Sequence, residues 1–225
     1  MNTSTFLILV GIVNLIYCIS LFISWKVRES KNCPNYLRNF YVYPLVGLVI
    51  FIFFWSKFNN IISNEFYTKI NLISLLFHYG FLSSFIIKTL SVNLKRFSII
   101  VFALCFIVLI AFIIPDIFHY TSVSFAVANS GLCIMCMLYY YDIFQGEPKS
   151  FLPKDPAFWI ISGVFVGMAV NIPFHIFGNY FYSNFSYSTH LFFSLISFFT
   201  YAVMHLFFIK SFLCILPLQK RLSYL

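Results

Sequence analysis

The chain is short of charge. Of its 225 residues, 9% are charged and only six are acidic. An ordinary soluble domain carries about 25% charged residues, so a water-exposed surface cannot be built from this set. Carboxylates are missing from the middle of every long apolar run: Glu29, Glu65, Asp116, Asp142, Glu147 and Asp155 fall between runs or at their ends. That removes the footing for a proton relay or a carboxylate cation site within a membrane. A retinal Schiff base needs a lysine in the middle of the last run, and Lys210 lies near its end instead. No Asp-Arg-Tyr closes the third run and no Asn-Pro-x-x-Tyr the seventh, so the eukaryotic receptor signatures are missing too. Phosphate loops, HExxH, paired carboxylates and nucleophile elbows are likewise missing. The sequence therefore predicts no enzyme, no catalytic residue and no cofactor.

Apolar and aromatic residues fill the space that charge leaves. Hydrophobic residues make up 61% of the chain and aromatics 22%, with a mean hydropathy of +0.92. A membrane-spanning helix needs roughly 20 predominantly apolar residues. Seven stretches qualify, at about 5–25, 40–57, 67–90, 97–114, 122–144, 157–180 and 189–212. Short connections join them, so the sequence predicts an all-α, seven-helix transmembrane bundle forming one domain over 1–225. The first run lacks a positive charge before it and a small-x-small cleavage site after it. It is expected to stay as a helix.

Basic residues set the expected orientation. Lys26, Arg28, Lys31 and Arg38 follow the first run; Lys88, Lys95 and Arg96 separate the third from the fourth; Lys149 and Lys154 separate the fifth from the sixth; and Lys210, Lys220 and Arg221 close the seventh. Twelve of the fourteen Lys and Arg thus fall on one side, with only Lys57 and Lys69 on the other. Cytoplasmic loops carry such an excess, which predicts an external N-terminus and a cytoplasmic C-terminus in a cell membrane, most simply a bacterial inner membrane. The net charge of +8 is scattered in these clusters and predicts a bilayer rather than nucleic acid as partner. None of the six cysteines falls in a predicted outer loop, so no disulfides are expected. Cys133 and Cys136 read as packing residues of the fifth helix, since a redox pair wants a helix N-terminus and an accessible thiolate.

Polar groups inside the spans are the candidate functional residues. At 1.5 Å per residue, His78 lies about 16 Å into the third helix and His175 about 8 Å from the outer end of the sixth. His190 opens the seventh helix, and His205 lies about 24 Å below that end, so no pair matches in depth as haem ligation requires. His175, His190 and His119 with Asp116 could gather at the outer face, but a metal site needs several converging ligands and none is predicted. Asn171, Pro173 and His175 put an amide, a kink and an imidazole on the outer part of one helix, since Pro173 removes a backbone bond. The predicted ligand-binding set is His78, Asn171, His175 and His190. Asn14 and Asn71 are further amides that need partners, and interhelical hydrogen bonding is the plainer reading of all three. Gly163 and Gly167 form a GxxxG face for close helix packing within the chain or, alternatively, in a homodimer.

One stretch carries a resemblance. Tyr139-Tyr140-Tyr141-Asp142, then Leu152-Pro153, then Pro156-Ala157-Phe158-Trp159-Ile160-Ile161-Ser162-Gly163 resemble a segment of uncharacterised bacterial seven-transmembrane proteins similar to the sensor regions of histidine kinases. Part of the pattern is interfacial physics alone, because Phe158 and Trp159 suit an aromatic belt and Pro156 a helix start. The resemblance implies a sensory or signalling-accessory protein that detects a small ligand, ion or membrane cue. A histidine kinase or other signalling partner would be a separate chain. A small-solute transporter or channel, or a scaffold subunit, is the alternative; transporters usually show internal repeats, and none is visible.

Overall fold

Lipid leaves an apolar segment one means of satisfying its backbone, and each long run here takes it by forming a helix. The computed structural model describes residues 3–30, 33–59, 61–113, 121–145, 152–177, 180 and 187–222. Among them run α1 (Thr3–Arg28), α2 (Val42–Phe58), α3 (Asn64–Thr89), α4 (Val92–Ile113), α5 (Thr121–Gln145), α6 (Pro156–Ile176) and α7 (Tyr187–Leu222). A single 3-10 turn, Leu152–Lys154, precedes α6. Six of the seven helices are long and apolar enough to cross a membrane, and α2 is a shorter apolar helix. The protein is a multi-pass helical membrane protein. Pro115, Asp116 and His119, with Lys31 and Lys149, lie outside the described residues, as does the His190 side chain.

Helix ends follow local chemistry. Ser63 caps α3, its hydroxyl accepting from the Phe66 N–H at 3.2 Å, and Glu65 pairs with Lys69 one turn on at 2.7 Å. Asp155 caps α6 by accepting from Ala157 N–H at 2.9 Å, with Pro156 in the first turn, where its missing N–H costs nothing. α6 stays helical across Pro173 to Ile176. α7 is the exception in length. Its 36 residues span about 54 Å, against roughly 30 Å of bilayer hydrocarbon.

Six helices close a ring. α1, α2, α3, α5, α6 and α7 each pack on the next, and α7 packs back on α1; α4 lies outside, against α3 and α5. Phe97, Ile100, Leu104 and Ile107 of α4 are exposed, as suits a lipid-facing helix. The α6–α7 contact is the closest. A Cβ on Gly163 would lie 2.7 Å from Phe207 Cβ and 3.0 Å from the Met204 carbonyl oxygen, and one on Gly167 3.1 Å from Met204 Sδ. The GxxxG face is therefore turned toward α7 of the same chain.

One end of the ring is plugged. Between α1 and α2, residues 33–41 wind through successive i→i+3 turns, with Phe40 N–H donating to Leu37 and Tyr43 N–H to Phe40. This carries Leu37 and Phe40 to the ring axis, where both are buried. The Phe40 ring meets Phe81 and Phe85 of α3 at 5.6 and 5.4 Å, and Phe208 and Phe212 of α7 at 5.1 and 5.8 Å. Basic residues surround this end. Arg28 lies over the Trp25 and Tyr41 rings at 5.3 and 4.9 Å, and Lys210 over Trp159 at 5.7 Å. Burial, with the nearby Asp155 and Cys33, pushes the Tyr36 hydroxyl up to about 12; burial also raises the Cys33 thiol, against the pull of Arg38.

Several polar side chains at the basic end are paired, while the buried hydroxyls of Ser83 and Ser98 are not. Asp142 accepts from the Ser91 N–H at 2.8 Å, tying α5 to the α3–α4 turn. Tyr140 donates to Ser162 at 2.9 Å and Tyr139 to Asp155 at 3.4 Å. Trp159 Nε1 donates to the Pro153 carbonyl at 2.8 Å, and Ser211 to that of Pro156 at 2.7 Å. The aromatic stretch Tyr139–Asp142 thus fastens α5 to its neighbours.

Candidate functional site

The ring opens at its other end into a cavity of about 660 Å³, within the range of small-molecule sites. All six ring helices line it, and α4 contributes nothing among the described residues. Lys57 near the end of α2 and Tyr43 near its start both line the wall. Fourteen residues of helix separate them, which makes the cavity about 20 Å deep. It is layered along that depth.

At the mouth, the Lys57 ammonium sits over the Tyr67 ring at 4.7 Å. The walls are aromatic: Phe54 and Phe198 meet at 5.5 Å, and Phe125 stacks on His175 at 5.0 Å. Amides and hydroxyls interrupt them, from Asn14, Asn71, Ser194 and Ser197. Asn14 turns its Nδ2 back to the Val10 carbonyl at 2.6 Å. Among the described lining residues there is no carboxylate and no cysteine.

Tyr17, Tyr43, His78, Asn129 and Tyr201 form the floor. The Tyr43 hydroxyl and His78 Nδ1 lie 2.5 Å apart, and in either tautomer Nε2 is the ring nitrogen left over. His205 underlies this layer, its ring 3.7 Å from that of Tyr17 and 6.0 Å from that of Tyr43. Tyr17 reaches its place only because position 47 is glycine, since a Cβ there would lie 2.5 Å from Tyr17 Cε1. Tyr43 also packs on Phe40 at 5.8 Å, so one side chain joins the cavity floor to the plug.

Some buried polar groups without partners stand here. Four of the ten such side-chain atoms among the described residues belong to the lining residues His78, Asn129 and His175; Asn171 and His205, off the cavity, hold three more, and the rest are serine hydroxyls. Asn129 is the clearest case. It is 1% exposed, it lines the cavity, and neither its Oδ1 nor its Nδ2 has a partner. An unpaired buried polar group costs about 1–3 kcal/mol, so each one calls for a partner from outside the chain or another compensating reason.

Of the residues singled out from the sequence, His78 and His175 come together on this cavity, with Asn14 and Asn71. Asn171 does not line it. It lies one helical turn below His175, fully buried, and donates to the Gly167 carbonyl at 2.8 Å; the rotation of α6 turns its amide into the helix packing. Asn129 joins the lining residues without having been singled out, although an amide within an apolar run is the same signal that marks Asn14 and Asn71. Tyr43, which reads as an interfacial aromatic, and Lys57, which reads as a flanking charge, join them too. His78 and His205 differ in estimated depth, yet the Tyr43 ring touches both. No protein-family model, curated protein or solved structure matches this chain, so the functional reading rests on the site itself.

Proposed function

We propose that the protein is a seven-crossing membrane receptor for a small molecule, with its N-terminus outside and its C-terminus in the cytoplasm of a bacterial cell membrane. In this reading α2 completes the odd number of crossings that places twelve of the fourteen Lys and Arg on the cytoplasmic side. The cavity then opens outward and the Phe40 plug faces inward. The observation that carries the reading is Asn129: a buried amide with both polar atoms unpaired in the wall of a drug-sized cavity. The lining offers donors, acceptors and aromatic faces, the recognition groups of a small-molecule binding site. A bound molecule bears on Tyr43, and through its ring on Phe40 and the basic segment 33–41. A packed element with two discrete arrangements would pass the signal to a separate partner. The sequence resemblance makes a histidine kinase the first partner to try.

The test begins with thermal-shift screening of a metabolite collection on the purified protein, followed by flux measurements in proteoliposomes with each binder. A receptor shows saturable binding that Ser197→Trp abolishes by filling the cavity, without accumulation of the compound in the liposomes. Accumulation would replace the receptor by a carrier. If no compound bound in a way that Ser197→Trp removed, the cavity would lose its assigned role.

A further inference from the structure

The floor of the cavity specifies its ligand more narrowly than the volume does, and this inference rests on the receptor reading above. Three features decide the chemistry. First, Asn129 offers a donor and an acceptor side by side, both unpaired. An amide edge is bidentate, so the group that satisfies both atoms at once is another adjacent N–H and C=O pair. Second, the other polar floor residues are Tyr17, Tyr43, His78 and Tyr201, with no carboxylate, lysine or arginine among them. A full charge placed at this depth would be desolvated without a counter-charge, and that is costly. Third, the walls are ring faces, with Phe125 already stacked on His175 one turn above Asn129. Flat molecules profit from such walls.

The level of Asn129 supports the grouping. A Cβ on Gly131, two residues further along α5, would lie 3.0 Å from the Tyr79 hydroxyl, and Tyr79 is the chain neighbour of His78. The amide and the free His78 nitrogen therefore stand at similar depth on adjacent helices. His78 Nε2 is unpaired and supplies a third hydrogen bond beside the two of Asn129.

We infer that the cavity takes up a flat, uncharged heterocycle carrying an adjacent N–H and C=O, of the lactam or nucleobase type, with that edge on Asn129. Lys57, about 20 Å away at the mouth, is too far to touch the edge and is left for any anionic substituent pointing outward.

Two planar three-ring heterocycles test this on the detergent-solubilised full chain, with binding followed by titration calorimetry. Lumichrome presents a pyrimidinedione edge, whereas phenazine has the same ring count and neither N–H nor C=O. Wild-type protein should bind lumichrome saturably and at least about tenfold more tightly than phenazine, the ratio expected for two neutral hydrogen bonds. Asn129→Leu should weaken lumichrome by at least about tenfold and leave phenazine unchanged. Its ligand-free melting temperature should stay level or rise, because an unpaired amide has been removed; a structural Asn129 would instead lower it. Should the leucine variant not fold, Asn129→Ala serves for the same comparison. Equal binding of the two dyes, both abolished by Ser197→Trp, would overturn the amide-edge assignment while the receptor reading stood. Saturable binding of neither dye overturns the assignment as well.

Discussion

The two ends of the bundle differ in which buried polar groups they leave unpaired: serine hydroxyls toward the basic end, amides and imidazoles toward the cavity. At the basic end, Tyr140, Trp159, Ser211 and Asp142 each have a partner within 2.9 Å, and the ring axis is filled by Phe40 and its four aromatic neighbours. At the cavity end, amide and imidazole atoms are buried without partners around an open volume. Both ends belong to the same six helices, so lipid exposure alone does not set the difference. Hydrogen bonds that are made stabilise by about 1 kcal/mol each, and groups left unpaired detract by a similar or larger amount. The filled axis favours stability, and the open end gives some of it up, which is what the proposed binding role asks of it.

Substitutions can sharpen or break this contrast. The largest effect is expected from Phe40→Ala, which empties the plug and should cost about 3–5 kcal/mol, read as a large fall in melting temperature in detergent. Gly163→Val drives a branched side chain into Phe207 and the α7 backbone and should cost about 1–3 kcal/mol, in the same assay. Ser211→Ala removes a bond to the Pro156 carbonyl and should cost about 1 kcal/mol. His205→Leu, between the cavity floor and the plug, should have the smallest effect and the opposite sign, neutral to slightly stabilising, since both ring nitrogens lack partners and an apolar side chain removes the unpaired groups. If His205→Leu destabilised as much as Ser211→Ala, the contrast between the ends would collapse.

The helices and their charge bias were legible in the sequence because lipid imposes length and composition directly. His78 and His175 were legible for a related reason: an imidazole within an apolar run stands out against its surroundings. Which side of each helix faces the cavity was not legible. A helix that is apolar all round carries no periodic stripe from which a facing side can be read. Asn171 and Asn129 look equivalent as amides in apolar runs; only the rotation of α6 against α7 buries the first in packing, while α5 sets the second within the cavity wall. Tyr43 was hidden for another reason. Its place depends on how residues 33–41 turn into the ring axis, a tertiary event with no local signature. The exclusion of α4 from the ring was equally invisible, since α4 is as apolar as its neighbours.

The length of α7 has a mechanical consequence. Ser194, Ser197 and Tyr201 stand on the cavity, and the same unbroken helix continues to Leu222, about 30 Å beyond Tyr201. In the proposed receptor the helix would act as a lever arm, its short side meeting the ligand at the cavity and its long side running on toward the basic end. A tilt of about 5° at Tyr201 displaces the far tip by roughly 3 Å, comparable to the helix shifts that switch other bundles. On that proposal, a movement too small to disturb packing around the cavity would be magnified at the tip into one large enough for a neighbouring protein to register.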